Sequence, residues 1–377
     1  MTRDAVLVLN AGSATLKFAL YRTTGDAGPD CLTHGQVDLA PGSHGDAVRS
    51  ALAAIEPDVE GHDLAAVGHR IVHGGVSYAG PVAVDARVLS ELAMLRSLAP
   101  LHQAQGLAVI EATRSQRPRV PQFASFDTAF HSTMPLLERR FALPRRWFDR
   151  GVRRYGFHGL SYEYVSSRLR DLCAANAAQM TRVVVAHLGS GASLCATRDG
   201  ASVATTMSFT PTDGLMMATR SGALDPSVVS YLVREHALTA DDVDRLLNLE
   251  SGLLGVSGIS GDIRVLLASD SPDAGFAVDL FVHRIVVEAG AMIAALGGLD
   301  GLVFTGGIGT HQAAIRARVC DALGWLGTDC DAARNAAGET RFDSDGSRVA
   351  LWNIPTDEEL VIAKHTVRAL HAQIVAT

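Results

Sequence analysis

One strand-turn-strand pattern occurs twice, about half a chain apart. Val6-Leu7-Val8-Leu9-Asn10-Ala11-Gly12-Ser13-Ala14-Thr15-Leu16-Lys17 resembles Val183-Val184-Val185-Ala186-His187-Leu188-Gly189-Ser190-Gly191-Ala192-Ser193-Leu194. In each copy an aliphatic strand stops at a polar residue, turns through Gly-Ser and re-enters a strand. The chain has 377 residues, more than one core usually supports. A repeat of this kind in such a chain implies two similar α/β halves, each opening with a strand, a tight turn and a strand.

The rest of the sequence fills in that frame. Leu64 to Val72 and Val120 to Phe126 read as strands, the second ending at Asp127, and Ser90 to Leu98 reads as an amphipathic helix. A stretch rich in Arg, Pro and Gly, Leu143 to Gly156, reads as a loop at a domain boundary. Helices are predicted over Ser227 to His236, Ala240 to Leu247 and Ala277 to Ala295. Leu302 to Thr305 is a buried strand running into Gly306-Gly307-Ile308-Gly309, with a helix from Ala313. A last strand, Val349 to Ile354, precedes a last helix, Glu358 to Ala376. Strands alternating with helices predict an α/β fold with partly parallel sheets.

Composition excludes several classes. The net charge of -7 and the lack of a long basic run argue against nucleic acid or an anionic membrane as the main partner. The five cysteines show neither CxxC pairs nor zinc spacing, and read as small core residues of a reducing compartment. No apolar stretch reaches membrane-spanning length and the N-terminal apolar run is too short for a signal peptide, so a soluble cytoplasmic protein is expected.

Several segments have both a chemical and a structural reading. The Gly12-Ser13 and Gly189-Ser190-Gly191 turns can bring backbone N–H groups to a phosphate, with Lys17 or His187 nearby, or can be plain hairpins. Gly306 to Gly309 can aim free N–H groups at a nucleotide or simply allow close strand-helix contact, and it lacks the Lys-Ser/Thr of a Walker A loop. Arg70 in Gly68-His69-Arg70 and Arg220 in Thr219-Arg220-Ser221-Gly222 carry planar forks suited to carboxylate or phosphate, or lie at the surface. Asp127, at a strand end, can hold Mg²⁺, and His158, in Tyr155-Gly156-Phe157-His158-Gly159, can donate to a transferring phosphoryl group; either can also be a satisfied turn residue. In Thr356-Asp357-Glu358-Glu359 the plain reading is a capping box closed by Thr356 and Glu359.

Taken in order and at their spacing, these blocks resemble the acetate kinase family over essentially the whole chain. The segments that carry the resemblance are Asn10 to Ser13, Gly68 to Gly75, Phe126 to His131, Tyr155 to Gly159, His187 to Gly189, Phe209 to Pro211, Gly214 to Gly222, Phe304 to Gly309 and Ile354 to Leu360. The resemblance implies a duplicated actin-like ATPase fold of the ribonuclease H-like kind, with mixed sheets flanked by helices around a cleft. Its first domain would be residues 1–147 joined by the C-terminal helix, about 358–377. The second, 148–357, would bind nucleotide and form a homodimer.

The activity implied is reversible in-line phosphoryl transfer between ATP and acetate, giving ADP and acetyl phosphate, with Mg²⁺ or Mn²⁺. Arg70 and Arg220 would bind the carboxylate and the phosphoryl group, His158 would donate to its oxygens, and Asp127 and Glu358 would place the metal with Asn10 nearby. Ser13, Thr15 and Lys17 would lie along the phosphate path with His187, Gly189, Ser190 and Gly191. Gly307, Ile308, Gly309 and His311 would line the nucleotide site, with Asp262, Ile263 and Arg264 at its adenosine end. His102 would support an acyl pocket walled by Val72, Leu101, Phe157 and Pro211. The chain departs from the family pattern at Ser190, Thr310, His311, Gln103, Tyr162 and Ala223, which bears on nucleotide affinity. Propionate or butyrate preference, or a non-enzymatic nucleotide-binding module of the same superfold, are the alternatives. Alanine at Arg70 or Arg220 is expected to cut turnover and leave folding intact.

Overall fold

The computed structural model describes residues 3–376 except Ser13, 25–27, 40–41, 60–62 and 176–179. Its contacts gather into two units. One comprises Met1–Ser132, Gly159–Tyr164 and Asp357–Thr377, and the other Thr133–His158 and Val165–Thr356.

The strands of the first unit are β1 (Arg3–Ala11), β2 (Thr15–Thr24), β3 (Gly28–Asp38), β4 (Asp63–Ile71), β5 (Val82–Ala83) and β6 (Gln122–Phe126), in the sheet order β3-β2-β1-β4-β6-β5. β1 pairs antiparallel with β2 and β2 with β3, whereas β1, β4 and β6 run parallel. β1 is apolar on consecutive residues because both faces of the sheet are covered. Leu7 and Leu9 face a core with Val48, Leu52 and Ile55 of the helix His44–Val59. Val8 faces Val361 and Ile362 of the helix Glu358–Ala376 on the other side. That last helix lies close against β4: a methyl group at Gly68 would collide with Thr366 Oγ1.

The second unit repeats the scheme with β7 (Arg182–Leu188), β8 (Ala192–Arg198), β9 (Ala201–Thr205), β10 (Gly301–Thr305) and β11 (Ala350–Asn353), in the order β11-β10-β7-β8-β9. β7, β8 and β9 form an antiparallel meander, and β7, β10 and β11 are parallel. Substituting β7 for β1, β8 for β2, β9 for β3, β10 for β4 and β11 for β6 reproduces the strand order of the first unit apart from its edge strand β5. The repeated hairpin is thus the visible part of a repeated five-strand topology.

Three local expectations need correction. The helix expected over Ser90 to Leu98 starts earlier, at Ala86–Ala93, where Asp85 accepts from Val88 N, and continues only as a 3₁₀ turn at Arg96–Leu98. The Leu143 to Gly156 stretch contains a short helix, Arg145–Asp149. Asp357, rather than Thr356, caps the last helix, its Oδ1 accepting from Leu360 N at 2.8 Å. Of the cysteines, Cys173, Cys195 and Cys320 are buried as expected, but Cys31 is exposed on β3. Among the described residues no helix is long and apolar enough to cross a membrane.

Candidate active site

In open α/β sheets the carboxyl ends of parallel strands are where loops converge and ligands bind. In the first unit those ends carry Asn10 on β1, Arg70 on β4 and Asp127 just after β6, the three parallel neighbours. Arg70 forms a fork with Asp127: Nε donates to Oδ1 at 2.9 Å and Nη2 to Oδ2 at 2.6 Å. Nη1 reaches Asn10 Oδ1 at 3.4 Å. The pair is withdrawn from water, with side-chain exposures of 15% for Arg70 and 2% for Asp127.

The first turn of the last helix brings carboxylates to the same point. Asn10 Nδ2 donates to Glu358 Oε2 at 3.3 Å and to Glu359 Oε1 at 2.8 Å. Glu359 therefore faces Asn10 instead of closing a capping box, a role the sequence did not reveal. Burial opposes the charge of Arg70, but Asp127, aided by Glu358 and Glu359, outweighs it and holds the guanidinium protonated above its usual range. Glu358 is pushed up by burial and by the charges of Asp127 and Glu359, which Arg70 and Lys17 only partly offset. Among the described residues no three His, Cys, Asp or Glu form a complete metal cage. Asp127, Glu358 and the Asn10 amide carry oxygens of the kind Mg²⁺ takes, but here both Asp127 oxygens and Asn10 Oδ1 accept from Arg70 while Asn10 turns its Nδ2 to Glu358, so Arg70 stands where a cation would otherwise balance the carboxylates.

The turn beyond Asn10 is closed by Gly12 N donating to Thr15 O at 2.8 Å. Thr15 is half-buried, and Lys17 is exposed on β2 directly opposite Asn10. Ser13 lies outside the described residues, as does the side chain of Leu101. Val72 is buried and His102 half-buried. The neighbouring Gln103 is fully buried and knits the loop after Arg70, its Oε1 accepting from His73 N at 3.0 Å and its Nε2 donating to His73 O at 3.1 Å. At this position the departure from the family pattern has a structural use.

In the second unit His187 is the last residue but one of β7, the place Asn10 holds on β1. The His187 ring stacks on His158 at 4.2 Å between centroids. His158 adopts a left-handed backbone, φ 57°, rare for a residue with a side chain and a sign of a position fixed by its surroundings. Its Nδ1 shares a hydrogen bond with Ser193 Oγ at 2.8 Å. Its Nε2 edge and Arg220 flank Gly191: a methyl group there would sit 3.2 Å from His158 Nε2 and 3.8 Å from Arg220 Nη1. Arg220 Nη1 donates to Pro211 O at 2.9 Å, which places Pro211 beside it, while Phe157, next to His158 in the chain, is buried. The segment around Arg220 is tied to the same turn, since Ala218 N donates to Ser190 O at 3.2 Å.

Beside this turn lies a cavity of about 540 Å³, lined by Gly189, Ser190, Asp262, Ile263, Arg264, Gly307, Ile308 and His311, all expected, and by Gly261 and Gln312, which were not. Both newcomers sit next in sequence to expected residues. Gly309 does not line it and is buried against Ala186 and Phe304, and Gly191 faces His158 instead. Asp262 caps the helix Ile263–Leu267 and pairs with Arg264, Nη2 to Oδ2 at 2.6 Å. The glycine run is not a turn before a helix: Gly306–His311 is itself helical, following β10 directly. Gly306 has φ 77° with Leu188 O 2.6 Å from where a Cβ would stand, so only glycine fits.

Two α/β units of one repeated topology, with polar groups at the carboxyl ends of their parallel strands, define the actin-like ATPase class of folds. Within that class the chain belongs to the Acetokinase family, whose profile matches residues 31–364. An acetate kinase of Rhodopseudomonas palustris (strain ATCC BAA-98 / CGA009) is 50% identical over 97% of this chain and 98% of its own. The crystal structure of a propionate kinase from Francisella tularensis subsp. tularensis SCHU S4 superposes with a TM-score of 0.86 at 34% identity, covering 97% of this chain and 99% of that one. That of Porphyromonas gingivalis acetate kinase gives 0.82 at 34% identity, over 97% and 100%.

Proposed function

We propose that this chain catalyses the acetate kinase reaction, reversible transfer of the γ-phosphoryl group of ATP to acetate. The observation that carries the reading is the pairing of His158 and Arg220 about Gly191. Two nitrogen donors stand within 4 Å of the place a Cβ would take on a glycine in a strand-turn-strand loop. Family membership over nearly the whole chain supports the substrate class.

In this reading a carboxylate oxygen of acetate attacks the γ-phosphorus in line, the bond to the β,γ-bridging oxygen breaks, and ADP leaves with the electron pair. Such transfer asks the protein for position and charge neutralisation more than covalent chemistry. Arg70 and Arg220 bind the carboxylate and the phosphoryl oxygens, and His158 donates from Nε2. The Ser193 hydrogen bond at Nδ1 and the stack on His187 orient the ring. Val72, Phe157 and Pro211 wall the methyl group, with His102 in support. Asn10, Asp127 and Glu358 would hold Mg²⁺ brought with ATP, which would neutralise phosphate charge. The cavity of about 540 Å³, within the range of small-ligand sites, takes the nucleoside.

The test is acyl-phosphate formation trapped as hydroxamate, from Mg-ATP with acetate, propionate and butyrate in parallel. The highest kcat/KM with acetate supports the reading. A maximum with propionate keeps the chemistry and moves the substrate, since one methylene is worth only about 1–3 kcal/mol of discrimination. ATP binding without product from any acid would leave a nucleotide-binding module and overturn it.

A further inference from the structure

One end of the wall of the nucleotide cavity is held by a buried arginine outside every motif named above. Arg316 stands on the helix Ala313–Ala322 and is 1% exposed. Its Nη1 donates to the carbonyls of Gly309 at 2.9 Å and Thr310 at 2.6 Å, the carboxyl end of the glycine helix. Nε and Nη2 donate to Asn335 Oδ1 and Asn335 O, each at 2.7 Å. Asn335 in turn donates from Nδ2 to Ala313 O at 2.9 Å, and Asn353 Nδ2, at the end of β11, adds a bond to Thr310 O at 3.3 Å. The guanidinium lies over the Phe342 ring, 5.4 Å from its centroid.

These acceptors are all neutral amides. Burial opposes the charge of Arg316, and replacing a buried ion by apolar side chains is often neutral or stabilising. Packing alone would therefore be met by a methionine or leucine. What an apolar residue cannot do is hold carbonyls of two separate segments at once, and a lysine ammonium lacks the planar fork to span them.

We propose that Arg316 is a positioning residue for the nucleotide. By fixing the carbonyls of Gly309 and Thr310 it sets the tilt of Gly306–His311, and with it the places of Ile308 and His311 in the cavity wall. The inference rests on reading that cavity as the nucleotide site. It also explains how the chain keeps the wall ordered where Thr310 and His311 depart from the family pattern: the bonds are made to backbone carbonyls, which no side-chain change removes.

The experiment is steady-state kinetics on the full chain with ATP and acetate varied separately, for Arg316→Lys and Arg316→Met, with thermal unfolding alongside. The KM for ATP is expected to rise about tenfold or more in both, and the KM for acetate to stay within about twofold. Asn353→Ala, which removes the bonds to Thr310 O and Gly338 O and leaves Arg316 in place, should shift KM for ATP in the same direction by less. It carries the test if the Arg316 variants do not fold. An unchanged KM for ATP in a folded variant, equal rises in both KM values, or full rescue by lysine overturns the proposal. Gly307→Val separates the two levels: it places a side chain in the cavity itself, and undiminished ATP binding there would overturn the nucleotide reading whatever Arg316 does.

Discussion

Arg70 and Arg220 look alike in sequence, each beside glycine in an apolar stretch, but they are held by different chemistry. Arg70 neutralises Asp127 in a nearly dry setting, so Arg70→Ala strands a buried carboxylate, a loss on the order of 3–5 kcal/mol. It should lower the unfolding midpoint as well as turnover, contrary to the expectation from sequence that folding stays intact. Adding Asp127→Asn should restore much of the stability and none of the activity; a single variant as stable as the parent would sink this account. Arg220→Ala interrupts contacts to a carbonyl and a thioether, and should cut turnover by orders of magnitude with a stability change within about 1 kcal/mol. Two buried rings contribute to the loss of stability in acid. Desolvation holds His69 and His73 down at about 4, from an ordinary 6.5. The unfolded chain then binds more protons between those values, so stability is complete above about pH 6.5 and falls as pH drops toward 4, by up to about 3 kcal/mol per ring. Denaturant melts near pH 7 and pH 4.5 should show the fall, and His69→Gln should reduce it. Arg70, Asp127, His158 and Arg220 entered as site candidates through the family resemblance, because each taken alone also reads as a surface or turn residue. Sequence could not name Glu359 or Arg316, whose partners lie hundreds of residues away or on backbone carbonyls.

At the scale of elements, strands were the legible part. Apolar runs such as Val6 to Leu9 and Leu302 to Phe304 are buried on both faces, which leaves no other use for them. The glycine segment after β10 was misread because glycine disfavours helix intrinsically, and here the close pass under Leu188 overrides that preference. The geometry separates two adjacent glycines. Gly306→Ala forces a Cβ into Leu188 O at positive φ and should destabilise the fold by several kcal/mol. Gly307→Ala meets nothing within 4 Å and should leave the unfolding midpoint within about 1 kcal/mol of the parent while raising KM for ATP. Equal midpoints for the two variants would contradict the assignment.

For the molecule as a whole, the repeat seen in two hairpins extends to five strands in each unit, yet the copies have specialised. The first places Asn10, Arg70 and Asp127 at its strand ends; the second places His187 and a glycine helix at the corresponding ones. Nucleotide should accordingly protect amides of Gly189 to Gly191 and Gly306 to Gln312 in hydrogen exchange, and protection confined to the first unit would reverse the division of labour. Chain order adds a constraint of its own. Almost all of the second unit is one continuous run, 165–356, whereas the sheet of the first unit is closed on one face by the helix Glu358–Ala376. A ribosome therefore releases the first strands long before the segment that covers Val8 and abuts Gly68. Until those final residues emerge, an apolar sheet face waits uncovered and Asn10 lacks both of its carboxylates. Nascent chains halted short of Glu358 should be sensitive to protease in their opening third, with the later unit already resistant, so the half made first is the half finished last.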